Sequence, residues 1–226
     1  MNLLIIDTST EWLLAGLNTP KGLDSLHLDG PMNHSSQLAP AVESLLLRNP
    51  GIIPEAIICQ GGPGSFTGLR IGFSAAKGYS EGWGIPLIGV SSLDAMAWMH
   101  RDNSPFLFPA IDARKGRFYG ALYSQEGKRV GEYLDRAPVD FLPDFEGKSI
   151  LFCGYQGIHL AKILQDKGIW EESWTIVSPL PWLEGMKELG LDNLKLGKVV
   201  EPAQGPFYLR ESDAIPPAAR EASDQY

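Results

Sequence analysis

Two aspartates follow apolar runs in the same manner: Leu3 to Ile6 leads into Asp7-Thr8-Ser9-Thr10, and Phe106 to Ile111 leads into Asp112-Ala113-Arg114-Lys115-Gly116. A carboxylate just past a buried strand can hold a metal ion or orient a water beside a nucleotide phosphate, and aspartate is equally a good turn residue. A third feature is the run Gly61-Gly62-Pro63-Gly64-Ser65-Phe66-Thr67-Gly68-Leu69-Arg70-Ile71-Gly72. Turns of this kind expose backbone N–H groups at a helix N-terminus, where anions bind. It is not a Walker A loop, because no GK[ST] follows, and its GxGxxxG spacing from Gly62 is not the dinucleotide fingerprint. Tight turning and close packing call for the same glycines.

Other chemistries find little support. The four histidines, His27, His34, His100 and His159, form no HExxH motif and no i, i+4 pair, so no zinc site or metalloprotease is expected. No GxSxG nucleophile elbow is present. Cys59 and Cys153 lie in apolar segments and read as reduced, packed thiols.

The elements that must position these residues follow from periodicity. Leu3 to Ile6 and Trp12 to Leu17 predict a β-hairpin whose first strand is buried on both faces. Leu38, Val42, Leu45 and Leu46 recur at helical spacing between Ser35 and Arg48, with Ser35 or Ser36 as cap, Pro40 tolerable only near the first turn, and Asn49-Pro50-Gly51 as the stop. A strand Ala56 to Cys59, a helix from about Thr67 to Tyr79 and a strand Pro86 to Val90 make a βαβ unit, which implies parallel pairing. In that helix Gly68, Gly72 and Ala76 form a stripe of small residues, Leu69, Phe73 and Ala76 an inward face, and Ile71, Ala75 and Tyr79 another apolar row. A helix apolar on more than half its circumference needs a second neighbour, either the Ser35 to Arg48 helix or a partner subunit.

A helix beginning at Ser91-Ser92-Leu93-Asp94 and the connector Asp102-Asn103-Ser104-Pro105 close the first half. The second half opens like the first: Leu17 and Leu122 each fall ten residues after their aspartate, which predicts two related lobes, each led by a hairpin. A charged stretch Gln125 to Gly147, a strand Ser149 to Cys153, a helix Ile158 to Lys167 and helical pieces from Pro181 to Lys198 follow. The expected organisation is one lobe over 1–103, a smaller one over 104–213 and a tail over 214–226.

The chain of 226 residues is 44% hydrophobic and 20% charged, which excludes a wholly disordered or fibrous protein. Its 19 basic and 27 acidic residues give a net charge of -8, so nothing global draws it onto nucleic acid or an anionic membrane. No apolar run reaches the length of a membrane span, and the start lacks a basic n-region and cleavage site, so a cytoplasmic chain is expected.

The segment Gly62-Pro63-Gly64-Ser65-Phe66-Thr67-Gly68-Leu69-Arg70-Ile71-Gly72 resembles the hallmark of the bacterial TsaB (YeaZ) family. Ile6-Asp7-Thr8-Ser9-Thr10, Val90-Ser91-Ser92-Leu93, Ile111-Asp112-Ala113-Arg114-Lys115-Gly116 and Phe207-Tyr208-Leu209-Arg210 are similar to its other motifs, in its order. Arg117 departs from the pattern, standing where the family often has an acidic residue. The resemblance implies an α/β, actin-like and ribonuclease-H-like (ASKHA) fold of two lobes with mixed sheets flanked by helices. It implies a non-catalytic scaffold that binds and activates TsaD, with the ATPase TsaE, in threonylcarbamoyl transfer to the adenosine next to the tRNA anticodon. TsaD-type proteins hold a metal with a histidine pair at i, i+4, whereas here Leu38 stands four residues after His34, so no metal site is expected.

On this reading the catalytic set is empty, and Asp7, Thr8, Ser9, Gly62, Gly64, Ser65 and Asp112 are vestigial nucleotide or phosphate loops. Leu38, Val42, Leu45, Arg70, Phe73, Ser74 and Lys77 contribute to a helical contact with TsaD, or with a second copy of the chain when TsaD is absent. The protein has no cofactor of its own, ATP or ADP is placed at the complex interface, and tRNA is reached only through the complex, with no membrane partner. The alternative is an active actin-like ATPase or kinase-type enzyme using Asp7 and Asp112 around Mg-ATP. A peptidase is a third reading, for which no nucleophile or metal motif is assembled.

Overall fold

In the computed structural model, which describes residues 1–30 and 33–210, the two halves of the chain build two five-stranded mixed sheets. The first sheet begins with β1 (Leu3–Asp7), β2 (Trp12–Thr19) and β3 (Gly22–Asp29) as an antiparallel meander. Helix α1 (His34–Arg48) leads to β4 (Ala56–Gln60), α2 (Phe66–Trp83) to β5 (Leu87–Val90), and α3 (Ser92–Met99) closes the unit. β4 pairs parallel to β1 and β5 parallel to β4, giving the order β3-β2-β1-β4-β5.

The second sheet repeats this plan. β6 (Phe106–Arg114), β7 (Arg117–Ser124) and β8 (Arg129–Arg136) form the meander, and β9 (Ile150–Cys153) and β10 (Thr175–Ile176) add in parallel, in the order β10-β9-β6-β7-β8. The duplication expected from the two hairpins therefore extends to all ten strands, and the architecture is the two-lobed actin-like, ribonuclease-H-like one. Between β8 and β9 lie a 3₁₀ turn (Pro138–Phe141) and the one-turn α4 (Leu142–Phe145); α5 (Gly157–Asp166) follows β9.

Alternation along β1 sorts the core. Leu4 and Ile6 face Leu38, Val42, Leu45, Phe73 and Ala76 of α1 and α2, whereas Leu3 and Ile5 face the other side, where α3 and the second lobe pack. That second cluster joins Leu93 and Met96 of α3 to Leu107, Ile111, Tyr119 and Tyr123 of the second sheet, so the lobes share one continuous core. The far side of the second sheet has its own aromatic cluster around Phe108, Phe145, Phe152 and Trp174.

Four differences from the sequence expectations have physical causes. No element was expected over β3, and β8 lies within the charged stretch Gln125 to Gly147; both are edge strands with exposed positions, and their pattern lacks the apolar density of a buried strand. α1 is capped by Asn33 rather than Ser35 or Ser36: the Asn33 carbonyl accepts from the Ser36 and Gln37 N–H groups, and the Ser36 hydroxyl also donates to it. Pro40 lies inside this helix, on its exposed side, beyond the first turn where it was thought tolerable.

The fourth is α6 (Leu183–Lys195), a single helix that lies against α3 and the first sheet although its sequence follows the second lobe. Gly185 sits so close to the Ala95 carbonyl, and Gly190 to the Ile58 side chain, that any Cβ there would overlap them. After α6 the chain stays with the first lobe, with Val200 N–H donating to Leu87 O (2.8 Å) and Phe207 N–H to Gly61 O (2.7 Å). In space, then, the first lobe takes in part of the sequence span assigned to the second. The tail expected over 214–226 lies outside the described residues.

The two faces of α1 make a direct test of this packing. Leu45 is fully buried and Leu47 is 74% exposed. Replacing Leu45 by alanine should cost about 2–5 kcal/mol in a urea titration, and the same change at Leu47 within about 0.5 kcal/mol of nothing.

Candidate functional site

The β1–β2 turn, the α2 N-terminus, the β6–β7 turn, Tyr155-Gln156 and Tyr208-Leu209-Arg210 surround an interlobe cleft of about 390 Å³. Of the residues predicted to form phosphate loops, Ser9, Gly64, Ser65 and Asp112 line it, whereas Asp7, Thr8 and Gly62 do not.

Asp7 is fully buried. Its Oδ1 accepts the Ser9 N–H (2.7 Å), and its Oδ2 accepts both the Ser92 hydroxyl (2.6 Å) and the Trp182 Nε1–H (2.6 Å). Ser9 Oγ completes the cluster by donating to Ser92 Oγ (2.9 Å). Trp182, the residue preceding α6, is itself fully buried and stacks on Trp12 with ring centroids 5.6 Å apart. A buried carboxylate needs donors, and these come from the protein itself.

Asp112 is used differently. It accepts the Arg114 N–H (2.7 Å) and lies 3.5 Å from the Arg114 guanidinium, which also reaches Glu11 across the cleft at 3.1 Å. The two aspartates thus do not face one space. The pair does not fit a Mg-nucleotide centre, because Asp7 has no oxygen turned to the cleft and both of its oxygens already serve protein donors.

The glycine motif is explained by contact with its own chain. At Gly68 a Cβ would overlap the Thr8 carbonyl, and at Gly72 the side chains of Gln60 and Thr8. Thr8 Oγ donates to Gly68 O (2.7 Å) and accepts from Gln60 Nε2 (3.0 Å), so α2 lies directly on the turn that ends β1. Gly62 meets the Phe207 carbonyl, and a Cβ on Gly64 would come within 2.6 Å of Ser9 Cβ. The stripe Gly68, Gly72, Ala76 therefore faces inward.

Four residues expected on a partner surface are instead core. Leu38, Val42, Leu45 and Phe73 are at most 4% exposed and pack on the first sheet, since the same apolar spacing that suggested a sticky helix face is what buries it. Arg70 and Ser74 are exposed and Lys77 is partly so. Arg70 Nε donates to the Tyr208 hydroxyl (3.2 Å) and Lys77 Nζ to Pro202 O (2.6 Å).

Cys59 and Cys153 are free and completely buried, and burial pushes both thiols far above their ordinary range, which leaves neither available as a nucleophile. Tyr155, on the cleft wall, donates to Glu11 (3.1 Å), and burial followed by that carboxylate raises its phenol. No group of three or more His, Cys, Asp or Glu side chains among the described residues could hold a metal ion, and no described helix is long and apolar enough to cross a membrane.

Sequence reasoning missed Trp182, Gln60 and the cleft role of Tyr155. Trp182 carried one faint signal, an aromatic among prolines just before a helix.

Comparison with known proteins agrees with this architecture. The family model for TsaD, tRNA N6-adenosine threonylcarbamoyltransferase, matches residues 31–166. The tRNA threonylcarbamoyladenosine biosynthesis protein TsaB of Bacillus subtilis is 37% identical over 175 residues, covering 74% of this chain and 76% of that one. The chain belongs to the TsaB family. The TsaB protein of Escherichia coli is 36% identical over 132 residues, a match spanning 56% of each chain. A crystal structure of an uncharacterized protein with similarity to peptidase YeaZ from Pseudomonas aeruginosa and the structure of YeaZ from Pseudomonas aeruginosa superpose with TM-scores of 0.78 and 0.76 at 27% and 26% identity, each match covering 92% of this chain and 99% of the other.

The Trp182 bond to Asp7 can be tested in isolation. Replacing Trp182 by phenylalanine keeps a ring but removes the donor, and should lower unfolding free energy by about 1.5–3 kcal/mol in a denaturant titration. Asp112→Ala, which removes contacts at an exposed turn, should change stability by less than about 1 kcal/mol.

Proposed function

We propose that this chain serves threonylcarbamoyladenosine biosynthesis as a non-catalytic subunit that binds and activates TsaD, with TsaE joining the pair. Membership of the TsaB family supports the pathway, and the state of Asp7 supports the non-catalytic part. An acidic residue whose oxygens are held by Ser9, Ser92 and Trp182 is a structural residue in this fold.

The outer face of α2 is the observation that carries the docking part. Gly78 and Gly82 lie within the helix, and a Cβ at either would meet no atom within 4 Å. Glycine inside a helix costs about 0.5–1 kcal/mol relative to alanine. Among the described residues nothing offsets that cost, unlike at Gly68 and Gly72. A partner helix approaching closely along Ser74 and Gly78 would. The exposed side of α1, with Ala39, Glu43 and Leu47, extends the same surface, because α1 and α2 pack side by side on the first sheet. Docking on this face takes the place of docking on the buried Leu38, Val42, Leu45 and Phe73, with Ser74 on the face and Arg70 and Lys77 at its margin.

With TsaD absent, the same face pairs two copies of the chain. ATP or ADP belongs at the interface with TsaD rather than to this chain alone, and tRNA is reached through the complex, since a net charge of -8 disfavours phosphate backbones.

The test is threonylcarbamoyladenosine synthesis on unmodified tRNA by purified TsaD, TsaE and the adenylate-forming synthase, with and without this chain. Synthesis should require the chain, tolerate Asp112→Ala, and fail with Ser74→Glu, which should also abolish co-purification with TsaD while the circular dichroism of the monomer is unchanged. Gly78→Ala should stabilise the free chain by about 0.5–1 kcal/mol and weaken the complex. A folded Ser74→Glu protein that still binds TsaD would sink the docking face, and loss of synthesis in Asp112→Ala with the complex intact would sink the non-catalytic reading.

A further inference from the structure

We propose that a groove on the far side of the second lobe docks a segment of another protein, one that carries a lysine or arginine among apolar residues. The groove shares no lining residue with the interlobe cleft and none with α1 or α2, so the proposal is independent of the docking face described above.

The groove has a volume of about 510 Å³ and runs between two walls. One is α4 with the turn that follows it, and the other is the loop that joins α5 to β10. Leu142, Pro143, Phe145, Ile169 and Trp174 make its lining largely apolar. Phe145 and Trp174 are buried beneath it and meet edge to face, with ring centroids 5.6 Å apart. The Lys148 carbonyl accepts both the Trp174 Nε1–H (3.2 Å) and the Ser173 hydroxyl (3.4 Å), which ties one wall to the other. A groove held by such bonds stands ready before anything enters it, so binding loses little to ordering its walls.

Charge decides what fits there. Glu146 stands on one wall and Glu171 on the other. Neither side chain has a hydrogen bond or an ion pair among the described residues. Elsewhere in this lobe arginines take the acids: Arg114 lies against Asp112, Arg117 against Asp135 and Arg136 against Asp144. Lys148 is the one basic residue on the lining, and its ammonium lies 5.9 Å from the centre of the Phe106 ring, paired with neither glutamate. The groove therefore offers two uncompensated carboxylates across an apolar floor.

A metal ion does not suit this set, since no group of three or more His, Cys, Asp or Glu side chains among the described residues could hold one. A free amine would gain little, because an ion pair at a water-exposed rim is weak when it stands alone. A basic side chain on a polypeptide gains more. Its aliphatic stem can lie along Ile169 and Trp174 while its charged head sits between the two glutamates, and apolar neighbours in the same segment can cover Leu142 and Pro143. The net charge of -8 draws a basic segment toward the chain and so favours the encounter.

The experiment selects a displayed library of random short peptides on the purified full chain. The enriched peptides are then titrated into isotope-labelled chain, with hexylamine as the small-amine control. Enriched peptides should carry lysine or arginine beside apolar residues, and they should shift the Trp174 indole N–H and the Gly147 amide saturably. Glu146→Gln with Glu171→Gln should weaken them at least about tenfold and leave the melting curve unchanged, because neither carboxylate has a partner to lose. Should that double variant misfold, the wild-type shifts at Trp174 and Gly147 decide alone. Four outcomes would each overturn the proposal: no peptide that shifts these signals, enrichment of peptides without a basic residue, unchanged affinity in the folded double variant, and hexylamine binding as tightly as the peptides.

Discussion

The buried carboxylate of Asp7 is the point on which the rest of the molecule depends. Its donors come from the β1–β2 turn, from the first residue of α3 and from the residue preceding α6, so one side chain ties together segments 175 residues apart. Removing a carboxylate from water is costly unless its oxygens are met. Trp182 meets one, and by doing so fixes where the C-terminal quarter of the chain must go. α6 then lies close enough to α3 at Gly185 and to β4 at Gly190 that glycine is the residue that fits at both. The indole stacked on Trp12 fills the space beneath the turn. An acidic residue at a strand end has thereby become part of the core.

A second constraint follows from the shared core. In two-lobed folds that close around a ligand, the lobes move as separate bodies about a hinge. Here Leu93 and Met96 pack with Tyr119 and Tyr123 in one cluster, and Asp94 on α3 accepts the hydroxyls of Tyr123 (2.6 Å) and Tyr133 (2.9 Å) from the second sheet. Glu11, Arg114 and Tyr155 bridge the cleft above. Moving the lobes apart would have to break these bonds and open apolar surface to water. The geometry favours a rigid body with a standing cleft.

How much of this was legible depended on where the driving force lay. β1, β4, β6, β7 and β9 are buried on both faces and read as apolar runs, and α1, α2 and α5 carry strong helical periodicity. Edge strands were lost because half-exposed positions in β3 and β8 dilute the alternation. The candidate site was half legible: Ser9, Gly64, Ser65 and Asp112 do meet at the cleft. Asp7 was identified but not its fate, since its decisive partner comes from Trp182 and no local pattern encodes a contact at that separation. The partner surface misled for a physical reason. Periodicity finds the face that is buried, and Leu38, Val42, Leu45 and Phe73 are buried by the chain's own sheet.

The glycine motif shows how one helix serves two surfaces. Gly68 and Gly72 let α2 rest on Thr8 and Gln60, where Thr8 Oγ bonds the Gly68 carbonyl in place of a side-chain contact. That close approach fixes the helix against the sheet to within the tolerance of a hydrogen bond, and so fixes its outer face as well. A Cβ at Gly78 or Gly82 on that face would meet no atom of the described residues within 4 Å. If the motif existed only to bind an anion at the helix start, glycines past the first turn would be dispensable and alanine would serve better. If it existed only for internal packing, Gly78 and Gly82 would be needless losses of helix stability. Inner glycines that set the helix and outer glycines that leave room beside it together make sense of a surface held rigid for another molecule to approach.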